Sequence, residues 1–184
     1  MQNNSTSRQS ATGRLQRLFF ALRPDRQVRL ALQQRYADLD ASLKQGRPLD
    51  KDNLHMTLHY LGNTTTLQKD CFIAQAQGMV CTPFTVELNQ FGYFPRAAVS
   101  WIAPTHAPPA LLKLYQDLAV VLASCGYVSE QRPYRPHITM ARKEKCGQQA
   151  IRLEPVNWVV DDFVLVQSVS TGQGVQYRVL ERFG

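Results

Sequence analysis

The chain has 184 residues, of which 44% are hydrophobic, so it is large enough to bury one sizeable core. Its 21 Lys and Arg residues outnumber its 14 Asp and Glu residues, and the net charge of +7 favours an anionic partner such as RNA, a nucleotide or an acidic membrane surface. No apolar run approaches the roughly 18 residues that a membrane-spanning helix needs, so we expect no such helix.

The first part of the chain predicts a tail and then two strands with a helix between them. Residues 1–13 are polar and predict a disordered tail, and residues 14–184 predict one domain. The run RLFFALR predicts a strand. Pro24 and Asp25 then begin a predicted helix to about residue 44, because Pro is tolerated in a first helical turn and an acidic residue suits a helix start. The alternating stretch LHMTLHYLG predicts the second strand, which its glycine ends.

The rest of the chain predicts two more helices among further strands. Thr64 to Thr66 can cap a second helix that runs to about Met79, and FTVELNQFGYF with AVSWIA predicts a strand pair. Pro108 and Pro109 introduce the most regular helix, which Gly126 ends. RPHITMAR contains the start of another strand, and WVVDDFVLVQSVS with VQYRVLERF predicts a closing hairpin. This order of elements predicts an α+β fold with a mostly antiparallel sheet.

One short frame, His, apolar, Thr, apolar, occurs twice: at His55 in NLHMTLHYL and at His137 in RPHITMAR. Because side chains alternate between faces along a strand, His55, Thr57 and His59 are predicted to share one face. The same alternation places His137 and Thr139 together on their strand, with the apolar residues of both frames turned towards a core. If the two strands face each other, two imidazoles and two hydroxyls converge.

A convergent pair of histidines suits phosphoryl chemistry without a metal. In-line hydrolysis of a phosphodiester needs a base for the attacking water and an acid for the leaving oxygen, on opposite sides of phosphorus. The unperturbed pKa of imidazole is about 6.5, so one ring can be neutral while the other is protonated. Threonine hydroxyls can bind the non-bridging oxygens. Either histidine alone would fit a structural role beside nearby backbone, so the repeat is what favours catalysis.

The two H-x-T-[LM] motifs, the early RLFFAL strand and RPYRPHITMAR resemble the two-histidine (2H) phosphoesterase superfamily, whose signature is the HXTX motif. The resemblance is strongest to its bacterial RNA 2′,3′-cyclic phosphodiesterases, also called 2′-5′ RNA ligases, and covers residues 14–184. It implies a bilobed α+β fold with pseudo-twofold symmetry, two antiparallel sheets facing a central cleft, and helices outside. The implied reaction opens a terminal 2′,3′-cyclic phosphate of RNA to a 2′-phosphate, in some members with reversible 2′-5′ ligation.

The resemblance also implies roles for residues of the two motifs. His55 corresponds to the proton donor for the leaving 3′ oxygen, and His137 to the base that activates water. Thr57 and Thr139 correspond to the phosphate-binding threonines, and no cofactor is implied. Arg142 corresponds to a basic residue that lies near the substrate in the closest relatives. Because Arg142 is five residues after His137, regular alternation would place it on the opposite face of the strand, so this role requires the strand to end or bulge before Arg142.

Other residues are candidates for contact with RNA. Tyr134 and Phe20 could stack on a base, although Phe20 lies in an apolar strand, which favours core packing. The second motif also lies in a basic stretch that suits RNA phosphates and equally suits a solvated loop. Its basic residues are Arg132, Arg135, Arg142, Lys143 and Lys145.

Two other classes of function stay open at this point. One alternative is an RNA- or nucleotide-binding module that has lost catalysis, although both members of an acid and base pair are present. The other is a metal site formed by His55, His59 and His137. The metal site is disfavoured because the motifs contain no carboxylate and threonine is a poor zinc ligand.

The cysteines bear on the compartment. Cys71, Cys81, Cys125 and Cys146 are widely separated and form no C-x-x-C pair, which predicts buried or incidental thiols rather than a zinc site. Together with the absence of a signal-like apolar start, this predicts a reducing, cytoplasmic location. We expect the chain to act as a monomer on RNA with 2′,3′-cyclic phosphate ends or on cyclic nucleotides.

Overall fold

The structure is a computed structural model that describes residues 15–145, 150–172 and 174–184. The predicted tail at residues 1–13 and Cys146 lie outside these ranges. The strands are β1 (Gln16–Leu22), β2 (Arg47–Pro48), β3 (Met56–Thr64), β4 (Phe84–Phe94), β5 (Val99–Ala103), β6 (Ile138–Arg142), β7 (Ile151–Val160), β8 (Phe163–Thr171) and β9 (Gly174–Phe183). The helices are α1 (Arg26–Ala37), α2 (Thr66–Ala76) and α3 (Pro109–Ala123).

The strands form one antiparallel sheet with two halves. The order is β7-β4-β5-β6-β3-β1-β8-β9, and β2 pairs with β6. In the described residues, one register pair, Met56 with Ile138, joins β3 of the first half to β6 of the second. The α+β class is therefore confirmed. The two predicted sheets are the two halves of one sheet, and these halves meet at β3 and β6, the strands that carry the histidine motifs.

The helix starts follow from local capping residues. The Asp25 side chain accepts a hydrogen bond from the backbone N–H of Val28 at 2.9 Å, and Thr65 forms a capping box with Gln68. Helix α1 ends at Ala37, well before residue 44. A separate 3₁₀ turn over Ala41–Leu43 follows, because Asp40 caps a new turn through the N–H of Ser42.

The predicted closing hairpin is only partly correct. WVVDDFVLVQSVS contains the end of β7 and the whole apolar start of β8, which are separated by Asp161 and Asp162. Strand β7 pairs with β4 at one edge of the sheet, whereas β8 pairs with β1 and β9 in the other half. The two aspartates thus mark the point where the chain crosses from the second half back to the first, and the hairpin is β8 with β9.

The main core lies between the sheet and the helices. Strand β1 shows the alternation clearly, because Leu18, Phe20 and Leu22 belong to this core. Phe19 and Ala21 lie on the opposite face of the sheet, in a smaller apolar cluster with residues of β8. Phe20 is fully buried in this core, so the favoured interpretation of core packing is confirmed and the alternative of stacking on a base is wrong.

Two of the four cysteines form a disulfide. Cys71 in α2 is bonded to Cys125, just beyond α3, while Cys81 is free and buried. The prediction of separate thiols is therefore wrong for this pair, because helix packing brings together residues 54 positions apart. Since disulfides persist mainly in oxidising compartments, the predicted reducing location loses this support. Among the described residues, no helix is both long and apolar enough to cross a membrane.

Candidate active site

The two histidine motifs meet at the centre of the sheet. Met56 and Ile138 are antiparallel register partners, and the histidines are the residues immediately before them. Extending that register by one residue in each direction places each histidine beside the threonine of the other motif. His55 and His137 therefore lie diagonally across the junction, related by the pseudo-twofold axis of the two halves.

Both imidazole rings are oriented in the same way. Nδ1 of His55 lies 2.7 Å from the carbonyl oxygen of Asn53, and Nδ1 of His137 lies 2.7 Å from that of Arg135. A carbonyl can only accept, so each Nδ1 carries the donated hydrogen. Nε2 is then the nitrogen of each neutral ring that is able to accept a proton.

Aromatic side chains hold the His55 ring. Phe19 and Tyr177 each place a ring centroid 4.9 Å from that of His55, and the two aromatic rings are 5.1 Å apart. The Asn53 side chain fixes the neighbouring strand, because its amide donates to the carbonyl of Val175 at 2.9 Å and its oxygen accepts from the N–H of Tyr177 at 3.2 Å. Three separate parts of the chain therefore position His55.

The second half of the site is built differently. Phe94 packs edge-on against His137 with the ring centroids 5.0 Å apart, and Trp101 lies 5.2 Å from Phe94. The Trp101 indole lies directly on Gly92, where any side chain would overlap the ring. Trp101 is the register partner of Thr139 in the second half of the sheet. The register partner of Thr57 in the first half is Ala21, so a small residue occupies the position equivalent to Trp101.

Burial lowers the pKa of both histidines. For His55 burial is the main cause, the Asn53 carbonyl opposes it, and the charges of Arg142, His137 and Arg23 lower the pKa further, to about 4. For His137 burial lowers the pKa and its carbonyl partner opposes the shift. His55 is therefore neutral at pH 7 in the free protein, which makes it a proton acceptor until a bound anion raises its pKa.

A bulge in β3 turns His59 away from the other two histidines. Thr57 pairs with Ala21 and His59 pairs with Phe20, so Leu58 is an extra residue and the alternation of faces is reset. His59 is only 1% exposed. Its Nε2 lies 2.8 Å from the carbonyl oxygen of Tyr115 in α3. The prediction that His59 shares the His55 face is wrong, and a metal site of His55, His59 and His137 is excluded by this geometry.

A matching bulge in β6 restores Arg142 to the site face. Thr139 pairs with Trp101 and Ala141 with Ser100, so Met140 is the extra residue. Met140 and Ala141 are both buried in the core, and Arg142 is exposed. The strand therefore bulges before Arg142, which is the condition on which its predicted site role depends, and the charge of Arg142 lowers the pKa of His55.

Tyr134 lies on the helix side of the site. Its ring stacks on Tyr115 of α3 with centroids 4.1 Å apart, and its hydroxyl donates to the carbonyl of Thr57 at 3.0 Å. The expectation that Tyr134 stacks on a base is therefore corrected, because its ring is committed to α3 and its hydroxyl to β3. Tyr134 supports the Thr57 backbone from behind the site.

The other basic residues of the second motif are exposed. These residues are Arg132, Arg135, Lys143 and Lys145, and Arg132 pairs with Glu130 at 2.9 Å. Sequence analysis missed Phe19, Asn53 and Tyr177. Phe19 could have been found from alternation in RLFFALR, whereas Tyr177 lies 122 residues beyond His55 and shows no local signal.

Comparisons with known proteins agree with the predicted resemblance. The sequence model of the 2′-5′ RNA ligase superfamily matches residues 24–172. The chain is 31% identical to an RNA 2′,3′-cyclic phosphodiesterase of Escherichia coli, over 91% of this chain and 96% of that protein. It is 30% identical to an RNA 2′,3′-cyclic phosphodiesterase of Thermus thermophilus, over 91% of this chain and 89% of that protein.

Solved structures show the same similarity in three dimensions. The crystal structure of E. coli LigT complexed with 3′-AMP superposes with a TM-score of 0.81 at 28% identity, covering 91% of this chain and 97% of that chain. The crystal structure of TT0787 of T. thermophilus superposes with a TM-score of 0.76 at 26% identity. The resemblance predicted from the two motifs is confirmed, and the chain belongs to the 2′-5′ RNA ligase superfamily.

Proposed function

We propose that the protein opens terminal 2′,3′-cyclic phosphates of RNA, or 2′,3′-cyclic nucleotides, to 2′-phosphates. The observation that carries the proposal is the pair of motif histidines at the junction of the sheet. Each ring is held through Nδ1 by a backbone carbonyl, which leaves Nε2 for proton transfer. The names of relatives that match over nine-tenths of this chain support the same reaction.

The reaction needs one acid and one base on opposite sides of phosphorus. A water oxygen bonds to phosphorus and gives its proton to the base, while the bond from phosphorus to the 3′ oxygen breaks and that oxygen takes a proton from the acid. The hydroxyls of Thr57 and Thr139 donate to the non-bridging oxygens. With the 5′ hydroxyl of a second RNA in place of water, the same transfers would form a 2′-5′ linkage.

The family resemblance makes His55 the acid and His137 the base. In the free protein the pKa of His55 is lowered to about 4, so His55 can act as the acid only after the negative phosphate raises that pKa. Binding of the substrate and protonation of His55 are then linked. Uptake of a proton on binding of a phosphate monoester should therefore accompany complex formation near neutral pH.

The test is incubation with 2′,3′-cyclic AMP and with an RNA that ends in a 2′,3′-cyclic phosphate, in the presence of EDTA. We expect 2′-phosphate products, because the acid, the base and the phosphate donors are side chains. His55→Asn and His137→Asn should each abolish turnover while the fold is retained. Nucleotide binding without turnover would instead favour the non-catalytic binding module.

A further inference from the structure

The Thr57 carbonyl, beside the bulge in β3, has a side-chain donor. A bulge locally disrupts the ladder, so backbone groups next to it need partners from elsewhere. The carbonyl oxygen of Thr57, the residue before the bulged Leu58, accepts a hydrogen bond from the Tyr134 hydroxyl at 3.0 Å. Tyr134 lies 77 residues further along the chain, shortly before His137. The segment that leads into the second motif therefore holds the first motif at its threonine.

The equivalent bulge in β6 is held by a backbone donor. Met140 is the bulged residue there, and its carbonyl accepts a hydrogen bond from the backbone N–H of Leu49 at 2.8 Å. Every residue except proline supplies such an N–H, whereas the donor to Thr57 is the hydroxyl of one particular side chain. A change at Tyr134 can therefore remove the support beside one bulge while the strand pairing of both halves stays in place.

Two further aromatic rings fix the position of Tyr134. The Tyr134 ring stacks on that of Tyr115 in α3, with centroids 4.1 Å apart and an interplanar angle of 9°. His59 of β3 also stacks on Tyr115, with centroids 4.2 Å apart and an interplanar angle of 22°. These three residues form an aromatic stack that joins β3 to α3. The stack therefore fixes the Tyr134 hydroxyl relative to the strand that carries Thr57.

The His59 ring has a hydrogen-bond partner at each of its nitrogens. Nε2 donates to the Tyr115 carbonyl at 2.8 Å, because a carbonyl can only accept. Nδ1 of the neutral ring then accepts from the Tyr127 hydroxyl at 3.1 Å. Burial lowers the pKa of His59, and the Tyr115 carbonyl opposes the shift. The ring is therefore neutral at pH 7 and brings no charge into the aromatic stack.

We propose that Tyr134 is a positioning residue for Thr57, because its hydroxyl fixes the backbone from which the phosphate-binding Thr57 side chain projects. The inference rests on the proposed function, since Thr57 donates to a phosphate only in that reaction. A misplacement of about 1 Å at a reacting centre can lower the rate on the order of a hundredfold, so a fixed backbone at Thr57 matters for turnover. Burial raises the pKa of Tyr134, so its hydroxyl keeps its proton and remains a donor.

The experiment is a double-mutant cycle between Tyr134 and Thr57, with 2′,3′-cyclic AMP as substrate. Tyr134→Phe removes the hydroxyl and keeps the stacked ring. It should lower kcat about tenfold with a smaller change in KM, because the Thr57 hydroxyl is no longer held in the geometry of the transition state. In the Thr57→Ala background the same change should lower kcat about twofold or less, because the group that Tyr134 positions is already gone.

Tyr93→Phe is the matched control. The Tyr93 hydroxyl also donates to a backbone carbonyl, that of Glu144 at 3.1 Å, in the other half of the sheet. Any effect of Tyr93→Phe on kcat should be the same factor with and without Thr57→Ala, because the two residues share no contact partner. The same factor for Tyr134→Phe in both backgrounds would overturn the inference, since Tyr134 would then have a general structural role. An unchanged kcat for Tyr134→Phe would overturn it as well.

The pH profile separates positioning from proton transfer. Tyr134→Phe should lower kcat/KM by one constant factor and keep both limbs of the profile, because a protonated hydroxyl donates throughout. Loss of a limb would show that Tyr134 transfers a proton and would contradict the positioning role.

The proposed function and the role of Tyr134 can fail separately. If the unmodified protein does not hydrolyse cyclic AMP, the proposed function fails, and calorimetric binding of inorganic phosphate then tests Tyr134. Tyr134→Phe should weaken that binding about threefold to tenfold in the parent protein and leave it unchanged in the Thr57→Ala background. Equal weakening in both backgrounds, or no binding by the parent protein, would end the inference.

Discussion

The Asn53 side chain binds the backbone of Tyr177, and the Tyr177 ring packs edge-on against His55. Asn53 accepts the Tyr177 N–H at 3.2 Å, and the ring centroids of Tyr177 and His55 are 4.9 Å apart. The backbone carbonyl of Asn53 also accepts a hydrogen bond from Nδ1 of His55. Because β9 is an edge strand, the Asn53 amide satisfies backbone groups that the sheet leaves free. One residue therefore links the last strand to the orientation of His55.

We expect Asn53→Ala to lower kcat about tenfold or more with a smaller change in KM, because His55 loses the support that holds its ring in place. The free energy of unfolding should fall by about 1–2 kcal/mol, since the backbone groups of Val175 and Tyr177 lose their hydrogen bonds to the amide. Steady-state kinetics and urea unfolding measure both effects. Asn157→Ala, at an exposed position of β7, is the control. A rise in KM alone would contradict the positioning role.

The threonines should matter less than the histidines. Thr57→Ala and Thr139→Ala remove one donor each to the phosphate oxygens, so turnover should fall about tenfold to a thousandfold. Circular dichroism should be unchanged, because both side chains are only partly buried. A loss as deep as that of the histidine variants, with an altered spectrum, would show that the threonines are structural.

The roles of the two histidines can be separated by the leaving group. If His55 is the acid, His55→Ala should be least harmful on a diester with an activated leaving group, which departs without a proton, while His137→Ala stays severe. The measurement is the rate of each variant on a cyclic nucleotide and on that diester. If the activated diester restores the rate of His137→Ala and not that of His55→Ala, His55 is the base. The low pKa of His55 in the free protein would agree with that assignment.

Stability should fall in mild acid because of His55. Its pKa is lowered from 6.5 to about 4 by burial, so the unfolded chain binds the proton more tightly than the folded protein does. The free energy of unfolding should therefore be at its full value above pH 6.5 and should fall as the pH is lowered towards 4. The loss that His55 causes over this range is about 3 kcal/mol. Urea unfolding of His55→Gln should show a shallower dependence across this window. An unchanged slope would mean that other groups govern the acid response.

The disulfide between Cys71 and Cys125 should contribute measurable stability. The bond joins residues 54 positions apart, one in α2 and one just beyond α3, and a loop of this size predicts about 4 kcal/mol. Thiol titration of the denatured protein should find fewer free thiols than the four cysteines of the sequence, because Cys71 and Cys125 are bonded to each other. Reduction should lower the urea midpoint of the unmodified protein and leave the Cys71→Ser/Cys125→Ser double variant unaffected. Four titratable thiols would show that the bond does not form.

The sequence by itself determined the motifs and the local starts of elements. Each of these features depends on only a few neighbouring residues, because a turn or a cap is formed by adjacent backbone groups. They are the two His and Thr frames and the helix caps at Asp25 and Thr65. The alternation of RLFFALR likewise reports which side of β1 is buried. These local signals were sufficient for the α+β class and for the family.

The tertiary structure alone decided which face several site residues occupy. The bulges at Leu58 and Met140 exist only in the register of β3 with β1 and of β6 with β5, so alternation along one strand could not reveal them. They move His59 into the core and return Arg142 to the face that carries His55 and His137. The contact of Tyr177 with His55 depends on how the last strand closes the sheet. The periodicity of a strand indicates which of its two faces is buried. The register of strand pairing and the position of the last strand depend on partners that are distant in the chain.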